Sequence, residues 1–179
     1  MTMANELLNA KTAAWPASLA GATVLGSLAL ACIFPFAAIA ALAALTLDRR
    51  SGIALAGAVW AANQAVGFLL MNFPWDAQAV GHGIAILAAT LAGFGVARIV
   101  AGKVEGSVLR SVAALASAFV VYEVLLRVYA QFGGGAENFS AEIVTGVAIN
   151  DAMWFAGLIA LRWAIGQATG EKAMLSAAR

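Results

Sequence analysis

The sequence predicts an all-α, polytopic membrane protein, and three observations carry that prediction. The 179 residues are 63% hydrophobic and 11% charged, with a mean hydropathy of +0.91, whereas soluble domains run about 45–50% apolar and roughly 25% charged. The apolar residues fall into runs separated by short polar breaks, the pattern of helices in lipid. The basic residues gather in alternate breaks, as the positive-inside tendency requires. No stretch outside the runs exceeds about fifteen residues, so residues 1–179 form a single membrane domain. A formal net charge of +1 lacks the basic signature of nucleic-acid binding. One cysteine and one histidine exclude an internal disulfide, a bis-histidine haem and a multi-histidine metal cluster.

Six helices are expected, at 16–33, 36–48, 52–72, 83–101, 111–132 and 141–165. A helix rises ~1.5 Å per residue, so about 20 residues cross a ~30 Å hydrocarbon core. The first run follows a weakly charged start carrying only Lys11, a layout shared with signal peptides. "LALAC" also resembles a lipoprotein cleavage box, but Ala29 stands where such boxes prefer leucine; the segment is read as a retained first helix. The second run is short. Pro35, in "CIFPF", removes a backbone donor and restricts the residue before it, so the chain is expected to turn there in a tight hairpin. The remaining four runs are long enough to span unaided.

The charges support this division. With the N-terminus inside, the cytoplasmic segments hold Lys11, Arg49, Arg50, Arg98, Lys103, Arg110, Arg162, Lys172 and Arg179, nine of the ten basic residues. The outer loops hold Asp76, Glu137 and Glu142 and no lysine or arginine. A single long first helix would break this pattern, so six transmembrane helices with both termini cytoplasmic, in a bacterial inner membrane, is the expected topology. Ser18, Ala22 and Gly26 form a small-residue stripe on the first helix, and Gly93 and Ala97 another on the fourth. Such stripes let backbones approach closely. Trp75 and Trp163 fit interfacial anchors at opposite faces.

Polar residues inside the runs carry the functional signal, because each is costly in lipid unless paired or facing a cavity. Counted inward from the outer helix ends at ~1.5 Å per residue, Asn63 lies roughly 13 Å deep, Glu123 about 13 Å, Arg127 about 7 Å, and Asn150 and Asp151 about 13–15 Å. Three helices thus place amides or carboxylates at one level in the outer half. In "FVVYEVLLRVYAQF", Glu123 and Arg127 are one turn apart, either an intrahelical ion pair or one wall of a polar pocket, with Arg127 able to serve both acids. Asn63 and Gln64 are interhelical hydrogen-bond partners or pocket groups. Asp151 has no nearby cation on its own helix, so it needs Arg127, a proton or water. Trp60 shares a face with Gln64, and Trp154 with Asn150; aromatics beside polar groups suit an organic ligand.

The outer loops "MNFPWDAQAVGHG" and "QFGGGAENFSAE" would form a lid, with Phe73, Trp75 and Phe139 as apolar contacts. His82 in the first of them is either a polar cap at a helix start or a metal- or pH-responsive group. Cys32, at the outer end of the first helix, is either a small buried hydrophobe or a soft metal ligand.

This layout resembles the S-components of energy-coupling-factor vitamin transporters: small six-helix membrane proteins with an outward pocket beneath the loops joining helices 1–2, 3–4 and 5–6. The solitary cobalamin-type members are the most similar, although the cysteine that some of them use for cobalt in the 3–4 loop is absent here, leaving His82 or Cys32. The resemblance implies uptake of a small organic solute such as cobalamin. It also implies coupling to a transmembrane subunit and ATPases through a stripe such as Ser18, Ala22 and Gly26. Two other classes stay open from the residues alone: a small proton-coupled carrier or channel, and an intramembrane enzyme built on a Glu123/Asp151 dyad.

Overall fold

The structure, a computed structural model, describes residues 15–22 and 34–168, and among these every regular element is helical. Residues 15–22 form α1; α2 is Phe36–Thr46, α3 Arg49–Ala65, α4 Ala77–Ala101, α5 Ser107–Gly133 and α6 Ala141–Ala168. α3 runs on into a π-helical segment, Val66–Leu70, and a 3₁₀ turn, Ala136–Phe139, precedes α6. Four helices are long and apolar enough to cross a membrane: Arg49–Leu70, Ala77–Ala101, Ser107–Gly133 and Ala141–Gln167. The expected hairpin before Pro35, and Lys11, Gly26, Cys32, Lys172 and Arg179, lie outside the described residues.

α2 differs most from expectation. Its 11 residues extend only about 16 Å, too short to cross a bilayer, and Phe36 to Ala44 are all buried. The reason is compositional. "FAAIAALAAL" has no polar side, and a helix apolar all round is stable only when enclosed. Its alanines keep it slim, so α4 and α5 close on it, with α3 and α6 completing the enclosure. α2 is therefore the core of the bundle.

Three of the four long helices begin earlier than the polarity of their first turns suggests, whereas α6 starts at Ala141 as expected. α4 starts at Ala77, six residues before the expected 83, because Asp76 caps it, accepting from the Ala79 N–H at 2.8 Å. α3 starts at Arg49 on the Asp48 cap, which accepts from the N–H groups of Arg50 and Ser51 at 2.8 and 3.1 Å and from the Ser51 hydroxyl at 2.6 Å. The Ser51 hydroxyl bond above all holds the exposed Asp48 carboxyl below its ordinary range. Such side-chain oxygens satisfy the orphan N–H groups of a helix start.

The two ends of the bundle differ in charge. Arg49, Arg50, Arg98, Lys103 and Arg110 lie at the end carrying the α2–α3 and α4–α5 turns, where Arg98 donates to the Leu47 carbonyl at 2.7 Å. Trp15 ties α1 to this end by donating to Thr46 Oγ1 at 3.1 Å, and the Arg162 guanidinium lies 4.8 Å from the Trp15 ring centroid. The opposite end holds Asp76, Glu137 and Glu142. Exposed Trp75 and Trp163 mark the two ends. The Gly93/Ala97 stripe packs α4 on α5: both residues are buried, and a Cβ on Gly93 would stand 3.1 Å from the Ala118 carbonyl oxygen. Ser18 and Ala22 are half-buried on α1.

Candidate functional site

The polar residues expected to form one layer separate into two regions. The first is centred on Asp151. Its side chain is 2% exposed, and Oδ1 accepts from the Ala38 N–H at 2.7 Å. Ala38 belongs to the first turn of α2, whose own cap position is Pro35, a residue with no side chain able to bond there. A helix start leaves four N–H groups unpaired and carries a partial positive charge. Asp151 thus reaches across from α6 to supply the cap that the local sequence lacks. This resolves its missing counter-ion, since the partner is a helix terminus and not Arg127. Tyr122, buried on α5, stacks on Phe36 with centroids 6.1 Å apart, and Phe36 on Phe34 at 6.0 Å. The helix start is sealed by aromatic rings.

Glu123 is half-buried and Arg127 exposed, and no ion pair joins them among the described residues. The expectation that they pair, or that Arg127 serves both acids, is not met. One turn of helix brings the two Cα atoms close, but a long arginine near a helix end can extend to the interface instead. Asn150 and Trp154 are half-buried on α6, and Trp154 packs against the core.

The second region lies at the acidic end. A cavity of about 230 Å³ is lined by Asn63, Gln64, Gly67, Phe68, Phe73, Ala79, His82, Gly83 and Ile86. α3 supplies its polar wall. Gln64 Nε2 donates to Asn63 Oδ1 at 3.0 Å, so the amide pair keeps one donor and one acceptor for a guest, whichever way both amides are turned. Trp60, one turn below, donates to the Gly83 carbonyl at 2.6 Å. The Gln64 amide rests against Gly83, where a Cβ would meet its Oε1. The apolar wall comes from the π-helical segment: Phe68 meets Phe73 edge-on at 6.5 Å, and Trp75 stacks on Phe68 at 4.2 Å. Asn72, with φ 55°, turns the chain back so that Phe73 folds over Gly67, a left-handed conformation that asparagine tolerates. π-helical turns often accompany functional sites.

His82 borders the cavity from the second turn of α4, not from a loop. Its Nδ1 lies 2.9 Å from the Gln78 carbonyl and its Nε2 3.0 Å from the Gly134 carbonyl, with the Tyr129 ring edge-on at 5.0 Å. Both ring nitrogens thus face carbonyl oxygens, so neither lone pair is offered to a metal. Among the described residues no group of three or more His, Cys, Asp or Glu could hold a metal ion.

The structure therefore brings Trp60, Asn63, Gln64, Trp75 and His82 of the expected residues to the cavity or its walls, whereas Glu123, Arg127, Asn150, Asp151 and Trp154 are not in its lining. Phe68, Gly83 and Tyr129 are the additions. The glycines flanking His82 in "GHG" are the feature that could have pointed to the close approaches of Tyr129 and Gln64 at this site. The π-helical turn that aims Phe68 has no sequence signature. Compared with known proteins, the chain matches no family model, no curated protein and no solved structure.

Proposed function

We propose that this chain is a solute-capturing protein of the bacterial cytoplasmic membrane. It has six membrane helices, α2 being a short buried one, both termini lie in the cytoplasm, and the cavity faces outward. The charge difference between the ends supports the orientation, because arginine and lysine concentrate on the cytoplasmic side. The observation that carries the function is the cavity itself: a free amide donor and acceptor opposite two aromatic rings, with no carboxylate, lysine or arginine in its lining. That combination suits a small aromatic or heterocyclic solute bearing an amide- or carbonyl-type group. At about 230 Å³ the cavity is below the roughly 300–1,000 Å³ of drug-sized sites, so a single-ring vitamin or precursor fits better than cobalamin. An S-component-like role, with the Ser18/Ala22/Gly26 stripe meeting a transmembrane subunit and its ATPases, is consistent with this layout. The proton-relay and carboxylate-dyad readings have less support, because Asp151 is engaged as a helix cap.

The test is a thermal-shift panel of water-soluble vitamins and single-ring precursors on the purified protein. A true ligand at a hundred times its Kd should stabilise by about 2.7 kcal/mol, and Asn63→Ala with Gln64→Ala should remove the shift. No shift from any solute, together with ion conduction by proteoliposomes, would sink the reading.

A further inference from the structure

We propose that His82 is a proton-operated clasp that ties the α5–α6 connection to the cavity wall. Its consequence for solute entry rests on the solute-capture reading, whereas the clasp itself does not.

A carbonyl oxygen can only accept a hydrogen bond, and a neutral imidazole has one N–H to donate. His82 faces two carbonyls, Gln78 at 2.9 Å and Gly134 at 3.0 Å. Both contacts are hydrogen bonds only when both nitrogens carry protons. Removing one proton turns a ring lone pair toward a carbonyl oxygen and converts attraction into repulsion. The two contacts are unequal. Gln78 is one turn earlier on the same helix, so that bond moves with the ring. Gly134 is 52 residues away, so it is the loss of this bond, from the Nε2 side, that releases a second element.

The connection is built to be held and released. Gly134 and Gly135 have φ of +81° and +88°, conformations that glycine adopts without strain. A Cβ on Gly134 would stand 2.8 Å from Gln78 Nε2, so glycine also admits the close approach. On its other side His82 borders the cavity beside Asn63 and Gln64. Loss of the proton would therefore free the connection and disturb the polar wall together.

The groups facing the imidazole are few. α5 presents the Tyr129 phenol, its ring 5.0 Å away. α3 presents the neutral amides of Asn63 and Gln64. The connection presents Gly134, Gly135 and Asn138, with exposed Glu137 beside Asn138, and α4 carries Asp76 at its cap. The clasp is closed while both ring nitrogens carry protons and opens when one proton is lost.

His82 is the only histidine in the chain, so ¹⁵N-histidine labelling of the full chain in nanodiscs reports one ring. Both nitrogens should read as protonated at pH 5.5. A nitroxide on Ala136→Cys, in a Cys32→Ser background, should shift toward its mobile component about fivefold by pH 8, the size of one lost hydrogen bond. His82→Gln should abolish that pH dependence. A label equally mobile at both pH values, or one whose response survives His82→Gln, overturns the clasp. If the label responds while no solute in the panel binds, the clasp stands and the solute-capture reading falls. If solutes bind and the label does not respond, the clasp alone falls.

Discussion

The Asp151 region and the Asn63–His82 region use similar polar residues for opposite ends. Asp151 is sealed in the core, its oxygen committed to a helix start and its surroundings filled by Phe36 and Tyr122. The amides of Asn63 and Gln64 bond to each other and leave capacity to spare beside an open cavity. Polar residues in a membrane protein therefore divide by what satisfies them: those completed by the fold hold it together, and those left incomplete beside space are available to a ligand.

Substitutions can break this division. The largest effect on stability is expected for Asp151→Ala, which strands buried N–H groups of α2. It should cost about 2–3 kcal/mol in reversible unfolding, with Asp151→Asn retaining an acceptor and losing about half as much. Gly83→Ala should act oppositely. A Cβ there meets the Gln64 amide, the end of a flexible side chain, so the amide moves and solute affinity falls about tenfold, or ~1.4 kcal/mol, while the unfolding midpoint barely changes. Trp60→Phe removes the 2.6 Å bond to the Gly83 carbonyl and should lower stability by about 1 kcal/mol, with weaker binding because the wall beneath Gln64 loosens. Arg127→Gln should be the quietest, within about 0.5 kcal/mol in unfolding and without effect on binding. A large effect of Arg127→Gln on either would restore it to the polar site.

Most of the helical layout was legible in the sequence, because run length and polarity follow directly from what lipid tolerates. Helix starts were less so. The turn Asp76–Ala79 looks like loop by polarity, yet capping by Asp76 draws it into α4. α2 was legible as apolar but not as enclosed, since a short span and a short core helix share one composition. The common depth of Asn63, Glu123 and Asp151 follows from counting 1.5 Å per residue along each helix. Depth does not specify azimuth, however, and only the packing around α2 shows that Asp151 and Asn63 face different neighbours. Trp60 and Gln64 were placed correctly on one face because they lie on a single helix, where spacing alone decides.

The most direct measurement is native mass spectrometry of the protein released from mild detergent, comparing wild type, Gly83→Ala and Asp151→Asn. The division described here predicts a small molecule retained by wild type and by folded Asp151→Asn, and lost from Gly83→Ala. A molecule retained by Gly83→Ala but lost from folded Asp151→Asn would contradict it, and would move the binding site to the start of α2.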